Sequence, residues 1–412
     1  MEDRIVVTGL GAISPIGNSA AESWRNALEG VAGVGLISLF DASRFPIRFA
    51  CEVKNFKPEE YMPAKDARRR DRFQQLASVA AKEAIQHAGL DLDQVDRWKV
   101  SVFISSSVGG LGSLQEGVRL FDREGDRKVS PFIVTMMMPN GAAGLVGIDY
   151  GFRGPSSCVS SACASGADGI GTAWLWLKSG LIDVAIAGAS DATINEIGVA
   201  ALSRSGAMST RNDGYQMTPQ PFDRDRDGLV MGEGSAILVL ERESHARSRG
   251  ANILAELAGY GASADGFHIT APLEDGAGGR RAILQALDRA QVNPAEVSYI
   301  NAHGTGTVLN DAAETLAIKG AFGETAYRIP VSSTKSMTGH MMGTTGALEA
   351  VFCVQAVGQD VIPPTIHYQN PDPACDLDYV PNQARQADVN VSLSNSFGLG
   401  GQNACLVLKK YT

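Results

Sequence analysis

Cys163 lies in the stretch SACASG, Ser161 to Gly166, ringed by nearly the smallest side chains available. A cysteine kept for packing usually sits among Leu, Ile and Val, because it packs as a small hydrophobe. Here nothing large shields the sulfur. Downstream, SGADGIGTAWLWLKSG reads as a helix, with Ala167, Ile170, Trp174 and Leu177 on one face and Gly180 as its stop. That places the thiol at a helix N-terminus, where backbone N–H groups and the macrodipole favour the nucleophilic thiolate. The same small residues, with Gly169 and Gly171, also suit close helix packing around an incidental cysteine. Its partners must decide.

A nucleophilic thiol needs groups that move protons or stabilise charge, and the histidines are the candidates. His87, His245, His268 and His367 sit in polar, helical or turn-like stretches and read as structural or surface residues. His303 in NAHGTGT and His340 in KSMTGHMMGTTG differ. Each follows a strand-like run and precedes Gly and Thr, the composition of a loop at a strand's C-terminal end. Two histidines in matching loops, together with a helix-terminal cysteine, form a candidate constellation.

Other chemistries find less support. GLGAISPIG offers Gly9 and Gly11, but Ser14 stands where a dinucleotide fingerprint needs its third glycine, and no GK[ST] occurs. Asp223, Asp225, Asp227 and Gly228 match the first half of a calcium loop, yet its twelfth position is Gly234, with Glu233 one residue early. That stretch reads as a charged loop entering a buried strand. The six cysteines contain no CxxC pair and the histidines no HExxH, so neither zinc nor another metal is expected, nor a cofactor. A net charge of −9 argues against nucleic acid as a partner. No run of 18 apolar residues is present, so no membrane span is expected. With an acidic start, MEDRIVVTGL, too short in apolar residues for a signal peptide, this points to a cytoplasmic protein.

The elements that must position these residues alternate in the manner of an α/β protein. RIVVTG, VSVFIS, VAIAG, AILVLE, VSYINA, IPVSS and NACLVL are strand candidates. NSAAESWRNALEG is a helix with Ser19 and Glu22 as its capping box and Gly30 as its stop, and DAAETLAIKGAFG is a second, capped by Asp311. HAGLDLDQVD (87–96) and RAQVNPAEVS (289–298) align without gaps, an offset of 202 residues. Each follows a helix and leads toward a strand. The implied architecture is two similar α/β halves, with a site between them that draws on both.

RIVVTGLGAISPIGNS, GPSSCVSSACASGADGIG, PFDRDRDGLVMGEG, NAHGTGTVLND, VSSTKSMTGH and SNSFGLGGQNA together resemble the β-ketoacyl-[acyl-carrier-protein] synthases, and among them the type II condensing enzymes of fatty acid synthesis. The resemblance runs nearly end to end. It implies the thiolase fold, two duplicated βαβαβαββ halves (here 1–250 and 251–412) forming a five-layer αβαβα core, normally a homodimer. It implies a decarboxylative condensation in which Cys163 carries the acyl chain and His303 and His340 stabilise the malonyl-derived enolate. Lys335 tunes the site, with Glu349 as its expected partner, and the backbone N–H groups of Cys163 and Phe397 surround the second oxyanion. Thr305 and Thr307 match positions that bind the phosphopantetheine arm, Val108 and Ile133 positions that shape the acyl pocket, and Gly398, Gly400 and Gly401 with Phe397 a gate. The partner implied is acyl carrier protein. Lys65, Arg68, Arg69 and Arg70 in KDARRR, with Arg204, suit docking of that acidic carrier, although a solvated helix face explains KDARRR equally well. Gly206 stands where relatives often carry an arginine.

Three function classes follow: a decarboxylative condensing acyltransferase, in fatty acid or specialised polyketide synthesis; a hydrolytic Cys-His-Asn enzyme; and a non-catalytic or decarboxylase-only relative. The paired histidine motifs with Lys335 speak against the second and the presence of Cys163 against the third.

Overall fold

A computed structural model describes residues 3–412. Ten strands carry the fold: β1 (Ile5–Ile13), β2 (Val100–Ser105), β3 (Ser156–Ser157), β4 (Val184–Asp191) and β5 (Gly234–Arg242), then β6 (Ala255–Ala264), β7 (Tyr299–Asn301), β8 (Val331–Ser332), β9 (Val391–Phe397) and β10 (Gln402–Lys409). Six helices connect them: α1 (Arg72–His87), α2 (Gly141–Tyr150), α3 (Ser165–Lys178), α4 (Ala277–Ala290), α5 (Val308–Phe322) and α6 (Thr345–Gln359). Read in chain order, each half is βαβαβαββ.

The strand orders repeat as well. The first half runs β3-β2-β4-β5-β1 and the second β8-β7-β9-β10-β6. In both, the first three strands of that order are parallel and the last three antiparallel. The halves join where edge strands β1 and β6 pair Val6 with Glu256 and Val7 with Ala255. α1 and α2 cover the outer face of the first sheet, α4 and α5 that of the second, and α3 and α6 fill the space between the sheets. These are the five layers αβαβα. The aligned segments 87–96 and 289–298 bridge α1 to β2 and α4 to β7.

Glycine spacing shows how closely the halves copy one another. A Cβ on Gly9 would fall 2.2 Å from the Ala84 carbonyl oxygen and one on Gly11 2.0 Å from that of Ala80. On β6, Gly259 and Gly261 stand 2.4 and 2.1 Å from the carbonyls of Ala286 and Ala282 in the same sense. The Gly9/Gly11 pair thus lets α1 lie directly on β1, a packing reason for this motif.

Several sequence expectations change in detail. Ser19 caps its helix by accepting the Glu22 N–H, but Glu22 reaches back to the Asn18 N–H, one residue short of a reciprocal box. α5 is capped by Thr307, which accepts the Asn310 N–H, so it starts before Asp311. Asp311 lies inside α5, buried, and accepts the Phe222 N–H at 2.7 Å. No helix among the described residues is long and apolar enough to cross a membrane.

The glycine contacts make a paired prediction. Gly11→Val should lower stability by about 2–3 kcal/mol, the cost of overpacking a close contact. Gly144→Ala should be neutral or stabilising by up to about 1 kcal/mol, since Gly144 lies in α2 with open space beside it. Urea midpoints of the two variants check this, and similar midpoints would contradict it.

Candidate active site

The Cys163 turn is built by its neighbours' polar groups. Residues 162–164 form one 3-10 turn that runs into α3, and Ala162 before the thiol adopts φ 52°, a left-handed conformation rare for a residue with a Cβ. The Ser161 N–H donates to Ser165 Oγ at 2.9 Å, whose hydroxyl donates to the Ala162 carbonyl at 2.6 Å. The Ser161 hydroxyl donates to Asp168, which also accepts the Tyr260 hydroxyl at 2.7 Å. The small residues around the sulfur serve packing too: a Cβ on Gly166 would lie 2.5 Å from the Gly343 carbonyl oxygen, so α3 and the turn preceding α6 touch backbone to backbone. The close packing expected of this segment is thus present.

His303 follows β7, and its loop is pinned by Glu314 on α5, which accepts the His303 N–H at 2.8 Å and the Gly304 N–H at 2.7 Å. His340 lies in the loop before α6, its own N–H donating to the Val230 carbonyl at 2.7 Å. The Met342 N–H donates to His340 Nδ1 at 3.0 Å. A backbone N–H can only donate, so a neutral His340 carries its proton on Nε2. The two imidazoles stand edge to face, 5.5 Å apart, and the Phe397 ring lies 5.7 Å from His303.

A cavity of about 330 Å³ is lined by Cys163, His303, His340, Phe397, Gly398, Thr305 and Thr307 together. The hydroxyls of Thr305 and Thr307 are 2.9 Å apart. Lys335 lies behind the site, fully buried, and donates to Glu349 at 2.6 Å. The turn after Phe397 covers the thiol: the Leu399 N–H donates to the sulfur, and the Gly398 position leaves a Cβ no room beside the Ser161 carbonyl, 2.8 Å away.

Burial dominates the electrostatics. It pushes His340 down to about 3 and His303 well below the ordinary imidazole range, and the Lys335 charge adds to both shifts. Each ring is therefore neutral at physiological pH. Burial also raises Glu314 and Glu349 to about 7, outweighing in Glu349 the attraction of Lys335. The Cys163 thiol is pushed up to about 11, against the Leu399 hydrogen bond and Lys335. Burial thus works against the thiolate that the helix terminus favours.

Other expected site residues lie elsewhere. Val108 is exposed, and Ile133 packs its Cδ1 against Gly117, outside the cavity. Lys65, Arg68 and Arg69 are exposed on the short helix Ala64–Ala67 and the turn after it, with the Arg69 guanidinium 4.7 Å over the Phe132 ring. Arg70 is buried and bonded to Asp149 at 2.6 Å, so it is unavailable to a carrier. Arg204 is exposed beside the cavity-lining Leu202, Ser205 and Gly206. In the charged loop, Asp223 accepts the N–H groups of Gln369 and Asn370 at 2.6 and 2.7 Å, and Glu233 pairs with Arg72 at 2.5 Å. Two buried carboxylates at the site, Glu314 and Asp191, escaped the sequence reading. Their signals were an acid three residues after Asp311 on one helix face and an acid ending the apolar run VAIAGAS.

Residues 2–246 match the beta-ketoacyl synthase N-terminal domain and residues 254–369 its C-terminal domain. The chain is 47% identical to a 3-oxoacyl-[acyl-carrier-protein] synthase 2 of Synechocystis sp. and 46% identical to one of Staphylococcus aureus, each over 99% of this chain and 98% of the relative. Among solved structures, a β-ketoacyl synthase from Burkholderia phymatum superposes with a TM-score of 0.92 at 34% identity. A ketosynthase solved with its type II polyketide acyl-carrier protein does so at 0.93 and 34%. Both cover 100% of the two chains compared. With the duplicated architecture and these matches across both halves, the chain belongs to the β-ketoacyl synthase family.

Proposed function

We propose that this chain is a β-ketoacyl-[acyl-carrier-protein] synthase that extends an acyl chain by two carbons through decarboxylative condensation with malonyl carrier protein. The observation that supports it most is the convergence of Cys163 and two neutral imidazoles on one cavity. In this reading the half spanning 1–250 supplies the nucleophile and the half spanning 251–412 both histidines.

Cys163 attacks the acyl thioester, a new thioester forms at its sulfur, and the carrier's C–S bond breaks. The thiol proton leaves with the carrier sulfur. When malonyl carrier protein enters, with its arm along Thr305 and Thr307, the bond to the carboxylate breaks and carbon dioxide departs. The electron pair becomes an enolate whose oxygen accepts N–H bonds from His303 and His340. Neutral rings suit this role because they give a hydrogen bond without giving up a proton. The enolate carbon then attacks the acyl carbonyl, its oxyanion is held by the N–H groups of Cys163 and Phe397, and collapse expels the Cys163 sulfur, which takes up a proton from solvent to restore the thiol. Lys335 keeps the imidazoles neutral and takes no part in the proton transfers. Phe397 with Gly398, Gly400 and Gly401 acts as the gate, and φ of 93° and 80° at Gly400 and Gly401 gives that turn a conformation only glycine adopts readily.

The curated relatives support fatty acid elongation. A specialised polyketide pathway is the second reading, favoured by the neighbour that was solved bound to a hexaketide. Saturated acyl and poly-β-keto primers compared on the same enzyme separate the two. Chain-length-factor partners, as in the ishigamide ketosynthase/chain length factor, support pairing of such chains. We infer a homodimer formed through the exposed apolar face of Val108, Leu114, Val118, Phe121 and Phe132. That pairing brings Val108 and Ile133 to the acyl pocket. Lys65, Arg68, Arg69 and Arg204 remain the candidate carrier contacts, and six unpaired thiols support a reducing, cytoplasmic setting.

Carbon dioxide release from malonyl carrier protein should persist in Cys163→Ala and fall by roughly 10²-fold in His303→Ala or His340→Ala, the scale of losing one oxyanion donor. Undiminished release from both histidine variants would rule the scheme out. Alkylation by iodoacetamide should map to Cys163 in preference to the half-buried Cys158, and because the thiol titrates high, its rate should rise roughly 10-fold per pH unit from 7 to 9. A flat profile would mean a standing thiolate. Finally, Val108→Phe should lose long acyl primers while keeping short ones, measured as the ratio of kcat/KM values. An unchanged ratio would remove Val108 from the pocket.

A further inference from the structure

The duplication gives the Cys163 turn a twin. Residues 342–344 form a 3-10 turn leading into α6, as 162–164 do into α3, and Met342 has φ 51° where Ala162 has 52°. Thr345 donates its hydroxyl to the Met342 carbonyl at 3.0 Å, the counterpart of Ser165 on Ala162. Gly343 therefore occupies the position of Cys163. In the first site the strand end facing this turn is Phe397, the last residue of β9. In the twin it is Asp191, the last residue of β4.

Asp191 is fully buried and its Oδ2 lies against the Gly343 backbone, 2.9 Å from where a Cβ on Gly343 would fall, at the equivalent of the Cys163 position. It accepts the Ser106 hydroxyl at 2.7 Å and the Ser107 N–H at 3.0 Å. Ser106 Oγ in turn accepts the Gly109 N–H at 2.9 Å. The carboxylate thus joins the loop that carries Val108 to the turn that carries His340. That turn sets the imidazole, since the Met342 N–H beside Gly343 is the donor that leaves His340 with Nε2–H.

We propose that Asp191 is a positioning residue for the condensation: its carboxylate fills the unused twin of the oxyanion site and thereby holds the 340–344 turn so that His340 presents Nε2–H to the enolate. This rests on His340 being an enolate donor. The geometry explains why an acid stands at the end of an otherwise apolar strand. The Ser106 hydroxyl and the Ser107 N–H converge on it beside the Gly343 backbone, and a neutral amide would set its own N–H groups against at least one of these neighbours.

The test uses full-length Asp191→Asn, and Asp191→Ser as a smaller variant that still accepts one hydrogen bond. Carbon dioxide release from malonyl carrier protein, read in the Cys163→Ala background, should fall roughly 10-fold or more, as expected for a misplaced donor. Acylation of Cys163 in the otherwise unaltered enzyme, followed by intact mass, should change by less than about 3-fold, because the Cys163 turn keeps its own supports. Histidine ¹⁵N spectra should show His340 with a bare Nδ1 in the unaltered protein and a mixture of tautomers in both variants. Equal loss of both partial reactions, an unchanged His340 spectrum, or failure of both variants to fold would overturn the proposal and leave Asp191 a purely structural role. His340→Ala run in parallel separates the two levels: if it keeps full release, the donor reading fails first, whereas its loss beside unaffected Asp191 variants defeats this inference alone.

Discussion

The crossing of α3 and α6 between the two sheets is the constraint on which the site depends. Both helices are covered on two faces, which is why α6 reads TGALEAVFCVQAVGQ with almost no polar side to show water. At their N-termini only Gly166 leaves room for the Gly343 carbonyl. Once the backbones touch there, the turn before α3 and the turn before α6 must lie side by side. Cys163 and His340 belong to these two turns, and the β7 loop adds His303 from the same end of the second sheet. A condensing site follows from a duplicated fold meeting at its own pseudo-twofold centre.

Burial sets the chemistry that such a centre supports. Water is displaced from two imidazoles and three carboxylates around one buried lysine, and each imidazole and carboxylate responds in the direction that reduces its charge. His303 and His340 become neutral donors, Glu314, Glu349 and Asp191 rise, and the Lys335 charge reinforces the neutrality of both rings. The same effect holds the Cys163 thiol protonated at rest. A site of this kind favours a step that creates an enolate between neutral hydrogen-bond donors over one that needs a preformed anion.

The parts legible in sequence were those where side-chain type and spacing act locally. Seven strand candidates, the helix after Cys163 and the two histidine loops all sit where expected, and the 202-residue offset marked a true duplication. β6 and β9 went unseen because AELAGYGASA and VSLSNSF carry Gly, Ala and Ser at positions packed against helix backbones or buried polar groups, so the usual β-branched signal is absent. α6 shows no amphipathic period because both its sides are interior. Asp311 was mistaken for a cap because a buried acid inside a helix looks, in sequence, like an acid at its start. Val108 and Ile133 cannot be assigned to a pocket from one chain when the face that holds them is open. Asp191 shows its significance only when the two halves are superposed.

The central claim is that His303 and His340 stay neutral across the working pH range, and histidine NMR of the resting enzyme addresses it most directly. With resonances assigned from His303→Ala and His340→Ala, the ring signals of both should stay unchanged between about pH 5 and pH 8. A titration of either site ring with a midpoint near 6.5 would contradict the account, because a cationic imidazole would then do the work assigned here to a neutral one.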